Sequence, residues 1–242
     1  MEGKLMDLNE RVFVITGATG GLGRVVAQSL AEIGARLVLV SSSTEKLVAL
    51  KKELNLAQDR TLSIAVDLSQ PQAAQSVLDT VVKRFGRVDV LLHFVGGWIG
   101  GKLVPEVSLE DVSTMLQQHL WTTFYLAQAF SPHMSANGWG RMIIVSSPSA
   151  AAPPAKGAPY AIGKSAQEAL MLTLAEEYKG TGVTANVLRV RSIDVKHERD
   201  TQPSPKTVSW TTPQEIVAAI LYLCSDEAGV INGARIPLYG SP

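Results

Sequence analysis

The tightest constraint on this chain is an alternation that runs from end to end. Short, almost continuously apolar runs lie at 11–16, 36–40, 62–66, 88–95, 141–145, 183–190 and 234–238. Between them lie stretches with helical spacing of apolar residues, at 22–33, 45–54, 71–85, 109–136, 160–178 and 213–224. A strand that is apolar at successive positions has no face for water, so both sides of its sheet must be covered. Helices inserted between successive strands provide that cover. The pattern predicts an α/β, doubly wound parallel sheet in a single domain spanning residues 1–242. Gly34 and Gly86 are expected to close the first and third helices, and Pro71 to open the third. Pro132 is expected to interrupt the long helix at 109–136. The polar stretch at 195–212, with Pro203 and Pro205, is the one long irregular segment and reads as a substrate loop.

Charge excludes several functions. Lys plus Arg is 22 and Asp plus Glu is 22, so the chain has no bulk attraction to nucleic acid or anionic lipid. Charged residues are 18% of the chain, below the ~25% usual in soluble domains, which points to extensive burial and to subunit interfaces. The single cysteine, Cys224, lies in an apolar run and has no internal disulfide partner. The start at 1–7 is polar and unlike a signal peptide, and no stretch matches the ~20 apolar residues of a membrane helix. A cytoplasmic protein is expected. His93, His119, His133 and His197 show no paired-ligand spacing, so no metal is expected.

The first apolar run ends in Thr16-Gly17-Ala18-Thr19-Gly20-Gly21-Leu22-Gly23, and a helix follows. Glycines there let backbone N–H groups reach a pyrophosphate at the positive end of the helix. Gly17, Thr19, Gly21, Leu22 and Gly23 are therefore read as cofactor-binding. The second run ends in Ser41-Ser42-Ser43, with no carboxylate to repel a 2′-phosphate. Ser41 and Ser42 are read as favouring NADP(H) over NAD(H), with Arg24 as a candidate phosphate partner.

Tyr160 and Lys164 lie one helical turn apart. A cation beside a phenol lowers its pKa from ~10 and suits it to acid–base work on a carbonyl or alcohol. Ser147 precedes Tyr160 by thirteen positions. The glycine loop, Ser147, Tyr160 and Lys164, in this order and spacing, resemble the short-chain dehydrogenase/reductase family over essentially the whole chain. Asp67-Leu68 is similar to that family's adenine contact, and 231–238 to its last strand. The resemblance implies hydride transfer between nicotinamide and a small carbonyl or alcohol substrate. Tyr160 is then the general acid and base, Ser147 orients the substrate oxygen, and Lys164 lowers the Tyr160 pKa and holds the nicotinamide ribose. It also implies a homodimer or homotetramer.

Three departures matter. The family's Asn-Asn-Ala-Gly is here His93-Phe94-Val95-Gly96, leaving Phe94, Val95 and Gly96 as backbone contacts to the cofactor. The family's relay Asn is here His119, read either as a replacement relay that titrates near neutrality or as a packing histidine. The family's Pro-Gly is here Val190-Arg191, with Ile193 offering its backbone. Arg189 and Arg191 share one strand face and are read as pairing with carboxylates, or Arg191 as meeting an anion. The loop Gly96-Gly97-Trp98-Ile99-Gly100-Gly101 places Trp98 either against a flat substrate or against the next helix. This loop is locally similar to the dihydropteridine reductases, which keeps pterin reduction open beside 3-oxoacyl-thioester reduction. A dinucleotide-binding sensor or assembly subunit without turnover is the alternative outside enzymes.

Overall fold

The computed structural model describes residues 8–55 and 57–240; the polar start at 1–7 lies outside them. Among the described residues seven strands form one sheet: β1 (Val12–Thr16), β2 (Arg36–Ser41), β3 (Thr61–Ala65), β4 (Val90–His93), β5 (Gly140–Ser146), β6 (Val183–Val190) and β7 (Arg235–Leu238). Their order is β3-β2-β1-β4-β5-β6-β7, and every neighbouring pair is parallel. The chain builds outward from β1 to β3, then returns to lay β4 on the other side of β1. Strand order reverses between β1 and β4, which leaves a crevice at their carboxyl ends. Thr16 and His93, the last residues of these strands, are in register across it.

Alternation along β1 explains the two layers of core. Val12 and Val14 pack on one face with Val77, Leu126, Phe130 and Met171, while Phe13 and Ile15 pack on the other with Leu22, Val26, Leu30 and Ile216. The first face is covered by α3 (Ala73–Phe85), α5 (Thr122–Ala136) and α6 (Ala158–Glu177), the second by α1 (Gly21–Glu32) and α8 (Pro213–Leu223). Each buried Val, Leu, Ile or Phe contributes ~1.5–3 kcal/mol from apolar burial. Local signals set several helix ends. Ser43 caps α2 (Thr44–Glu53) by accepting from the Lys46 amide at 3.2 Å, and Ser108 caps α4 (Leu109–Leu116) by accepting from Asp111 at 3.0 Å. Thr212 and Glu215 cap α8 reciprocally, with Pro213 at its first position.

Two helix expectations need correction. Pro71 lies before α3 rather than at its first turn. Pro132 sits inside α5 without interrupting it. Pro132 has no amide to donate to the Gln128 carbonyl, and both residues are exposed, so the missing helical bond lies on the solvent side of α5. The break in the long helix falls earlier, as a π turn over Gln117–Trp121, where Thr122 N–H donates to the Gln117 carbonyl. The segment at 195–212 is tied down. It carries a short helix, α7 (Glu198–Thr201), whose first amides at Glu198 and Arg199 donate to Asp194 at 2.8 Å each. Ile193 bridges to Thr211, and Arg199 pairs with Glu215 at 2.8 Å.

Among the described residues, no helix is long and apolar enough to cross a membrane, and no three ligating side chains are grouped to hold a metal. Cys224 is buried and unpaired.

Candidate active site

The glycine loop leaves β1 at the reversal of strand order. Gly17 adopts φ +73°, and a side chain there would also press on the Phe94 carbonyl carbon at 3.0 Å. A Cβ on Gly23 would lie 2.4 Å from the Gly17 carbonyl and 2.8 Å from Ala18 Cα, both backbone atoms without freedom to yield. These glycines let α1 begin directly beneath the loop. Gly17, Gly21, Leu22 and Gly23 line a cleft of about 420 Å³ with Phe94, Val95, Gly96, Tyr160, Lys164 and Ile193. A second cleft of about 350 Å³ shares Gly17 and Phe94 to Gly96, and adds Thr19, Ser41, Ser42, Asp67 and Leu68. Together they make one groove along the carboxyl edge of the sheet, and the residues present fit a dinucleotide.

The cleft around Ser41 has a settled polar arrangement. Thr19 and Ser41 hydroxyls are 2.9 Å apart, and Ser41 also accepts from the Ser43 amide at 3.4 Å. Arg24, the expected phosphate partner, is instead paired with the Glu53 carboxylate. Asp67 accepts from the Ser69 amide at 2.9 Å, and that hydrogen bond holds its carboxyl below the usual range.

His93 explains one departure. Its Nδ1 lies 2.6 Å from Thr16 Oγ1 and its Nε2 lies 3.2 Å from Thr122 Oγ1. Thr122 has one hydroxyl hydrogen and donates it to the Gln118 carbonyl at 2.7 Å. It therefore accepts from His93 Nε2–H, and Nδ1 accepts from Thr16. Burial first, and then the charges of Lys164 and His119, push the imidazole down to about 3. A neutral histidine thus latches the ends of β1 and β4 to α5.

His119 lies in the π turn, packed edge-on to Tyr160 with ring centroids 5.5 Å apart. Its Nε2–H donates to the Gly97 carbonyl at 3.0 Å, and its buried Nδ1 has no partner among the described residues. Burial and then Lys164 push it down to about 3. The expectation that it titrates near neutrality is corrected: desolvation holds it neutral. Gly163 permits the contact, since a Cβ there would lie 2.9 Å from the Met115 carbonyl and 3.1 Å from His119 Cδ2.

Lys164 is buried, and its Nζ donates to the Val145 carbonyl at 2.8 Å and to Gln167 Oε1 at 2.9 Å. Gln167 Nε2 donates to Thr123 Oγ1 at 2.8 Å, and Thr123 donates to the His119 carbonyl at 2.5 Å. Sequence reasoning missed Gln167 and Thr123. The one local signal is the Thr122-Thr123 pair, whose hydroxyls take carbonyls four residues back across the π turn. Every donor in this chain points away from Lys164, and an amide does not pass protons on, so Gln167 positions the ammonium rather than relaying. Burial pushes Lys164 down to about 7, with Glu168 pulling upward. Replacing Gln167 with Leu removes an acceptor of the charged form, so Lys164 loses its proton at lower pH. The expected result is a kcat reduced by about tenfold and an alkaline limb of the pH–rate profile moved to lower pH. An unmoved limb would assign Gln167 to packing alone.

Tyr160 differs from the electrostatic expectation. Burial raises its phenol above the ordinary value, and the nearby Ser147 hydroxyl pulls it back. The expected lowering by Lys164 is absent from its surroundings, because that ammonium is turned to β5 and Gln167. Ser147 is itself buried after β5, and its oxygen accepts from the Ser149 amide at 3.3 Å.

Trp98 lines the cleft and is 66% exposed, so it is not packed under the next helix. The two arginines of the β6 exit part company. Arg189 forms a two-point pair with the buried Glu168, one contact at 2.9 Å. Arg191 lines the cleft with its guanidinium 4.8 Å from the Tyr239 ring centroid.

Comparison with known proteins agrees with this geometry. Residues 11–205 match the family model described as short chain dehydrogenase. D-threitol dehydrogenase of Mycolicibacterium smegmatis is 29% identical, over 96% of this chain and 93% of that protein. The 1,6-dihydroxycyclohexa-2,4-diene-1-carboxylate dehydrogenase of Pseudomonas putida is 30% identical, over 95% of this chain and 91% of that protein. A solved short chain dehydrogenase of Bacillus anthracis superposes with a TM-score of 0.86 at 28% identity, covering 96% of each chain. These relatives are named dehydrogenases. This chain belongs to the short-chain dehydrogenase/reductase family, as an NAD(P)-dependent oxidoreductase acting on CH–OH and C=O groups.

Proposed function

We propose that the chain is an NADP(H)-preferring oxidoreductase of small alcohols and carbonyls with Tyr160 as its general acid and base. The observation that carries this reading is the placement of Tyr160 and Lys164 in the same cleft as the glycine loop, with Ser147 acting on the phenol. Bound nicotinamide supplies the hydride chemistry. Tyr160 Oη holds the proton exchanged with the substrate oxygen, and the Ser147 hydroxyl orients that oxygen. Lys164 Nζ, fixed by Val145 and Gln167, is read as the ribose anchor; His119, neutral and bonded to Gly97, fixes the Trp98 loop.

The NADP(H) preference rests on Ser41 and Ser42, the capped start of α2, and the lack of a carboxylate ending β2. Arg24 is spent on Glu53, so hydroxyl and amide donors carry the phosphate without a salt bridge. A homodimer or homotetramer is read from the exposed Trp121 of the π turn, Phe124 of α5 and Ile162 of α6. Fluorescence titration with NADPH and NADH tests the cofactor reading. NADPH is expected to bind about tenfold more tightly, the worth of one charge-assisted hydrogen bond. Equal or tighter binding of NADH overturns it.

A further inference from the structure

We propose that Arg191 is an anion subsite for the substrate, so that the preferred alcohol or ketone carries a carboxylate. This rests on the dehydrogenase reading and adds the substrate's charge to it.

Arg189 and Arg191 leave β6 two residues apart, yet only Arg189 meets a carboxylate. Arg191 has no ion pair and no hydrogen-bond acceptor among the described residues, although it lines the cleft that holds Tyr160. Its guanidinium rests over Tyr239, a contact that restrains the side chain and leaves its N–H edge free. The remaining cation of the cleft, Lys164, is spent on Val145 and Gln167. Among the described residues no Asp or Glu lines the cleft to offset the Arg191 charge. A planar fork of donors without an acceptor matches a carboxylate in two-point geometry. Trp98, exposed on the same cleft, offers a flat apolar face to the rest of the molecule. The cofactor phosphates are an alternative source of anion, but the glycine loop already presents the N-terminal amides of α1 to them.

Isothermal titration separates these sources, with benzoate and its uncharged counterpart benzamide as probes. Each is titrated into the whole protein, alone and saturated with NADPH. Benzoate is expected to bind about tenfold more tightly than benzamide, and Arg191→Gln to abolish that difference while leaving NADPH affinity within about twofold. Arg191 is exposed, so the variant keeps its fold. Equal binding of the two probes, or no benzoate binding, overturns the proposal. So does an Arg191→Gln variant that loses NADPH affinity and keeps its benzoate preference, since Arg191 then serves the cofactor. If NADPH fails to bind while benzoate discrimination depends on Arg191, the cofactor reading fails and the subsite stands.

Discussion

Replacing Tyr160 with Phe is expected to lower kcat by about 10²–10⁴-fold, the usual worth of a positioned acid or base. NADPH affinity should change by less than about threefold, because the substitution removes one hydroxyl and keeps the ring. That ring packs edge-on to His119 and lines the cleft, so the groove keeps its shape. The phenol is raised by burial, so it remains protonated through neutral pH and into alkaline conditions. Carbonyl reduction, which needs a proton donor, should therefore lose nothing to Tyr160 at neutral pH, so its fall there follows Lys164, pushed down to about 7. Alcohol oxidation, which needs the phenolate, gains from Tyr160 as pH rises until the loss of the Lys164 proton offsets that gain. Steady-state kinetics in both directions, beside a fluorescence titration of the variant, check these outcomes. A Tyr160→Phe enzyme with more than about a tenth of the original turnover would remove Tyr160 from the chemistry.

Acid is expected to destabilise the fold well above the range in which carboxylates titrate. His93 and His119 are both pushed from 6.5 to about 3, chiefly by burial. The unfolded chain protonates them below 6.5 while the folded chain leaves them neutral. The unfolded state then binds more protons, so the free energy of unfolding falls as pH falls, and the loss continues to about 3. Each histidine contributes a slope that approaches ~1.4 kcal/mol per pH unit below pH 6.5, or about 3 kcal/mol for the pair between pH 6.5 and about 5. That is a large share of the ~5–15 kcal/mol that holds a domain folded. His133, also lowered by burial, adds in the same direction. Asp67 and Glu215 are held below their ordinary values and lose their contribution only at lower pH. Urea denaturation at closely spaced pH values reads the slope, which His93→Asn should reduce by about 1.4 kcal/mol per pH unit. Wild-type stability that stays level from pH 6.5 to about 5 would show that these imidazoles charge freely in the fold.

The sheet was legible because its causes are local. A run such as Val12 to Thr16 is apolar at each position, which fixes it as a strand covered on both faces. The glycine loop was legible because Gly17 and Gly23 stand where a Cβ would strike backbone. The spacing of Tyr160 and Lys164 is a property of any helix, and α6 delivers it. Spacing did not reveal which way the Lys164 ammonium turns. Its partners are a β5 carbonyl 19 residues earlier and Gln167, and Gln167 reaches Thr123, 44 residues away, only because α6 crosses the π turn.

The same division runs through the rest of the molecule. The alternating elements, their two-sided cover and the glycine loop can be read from the sequence, since each follows from periodicity or from backbone sterics within a few residues. Tertiary structure alone decided which charges are spent. Arg24 goes to Glu53, Arg189 to Glu168, and Arg191 is left at the cleft. It alone set the protonation of His93 and His119, whose isolated values would have allowed charge near neutral pH. Partner choice and desolvation depend on which distant segments close over a group, and no pattern confined to neighbouring positions encodes that closure.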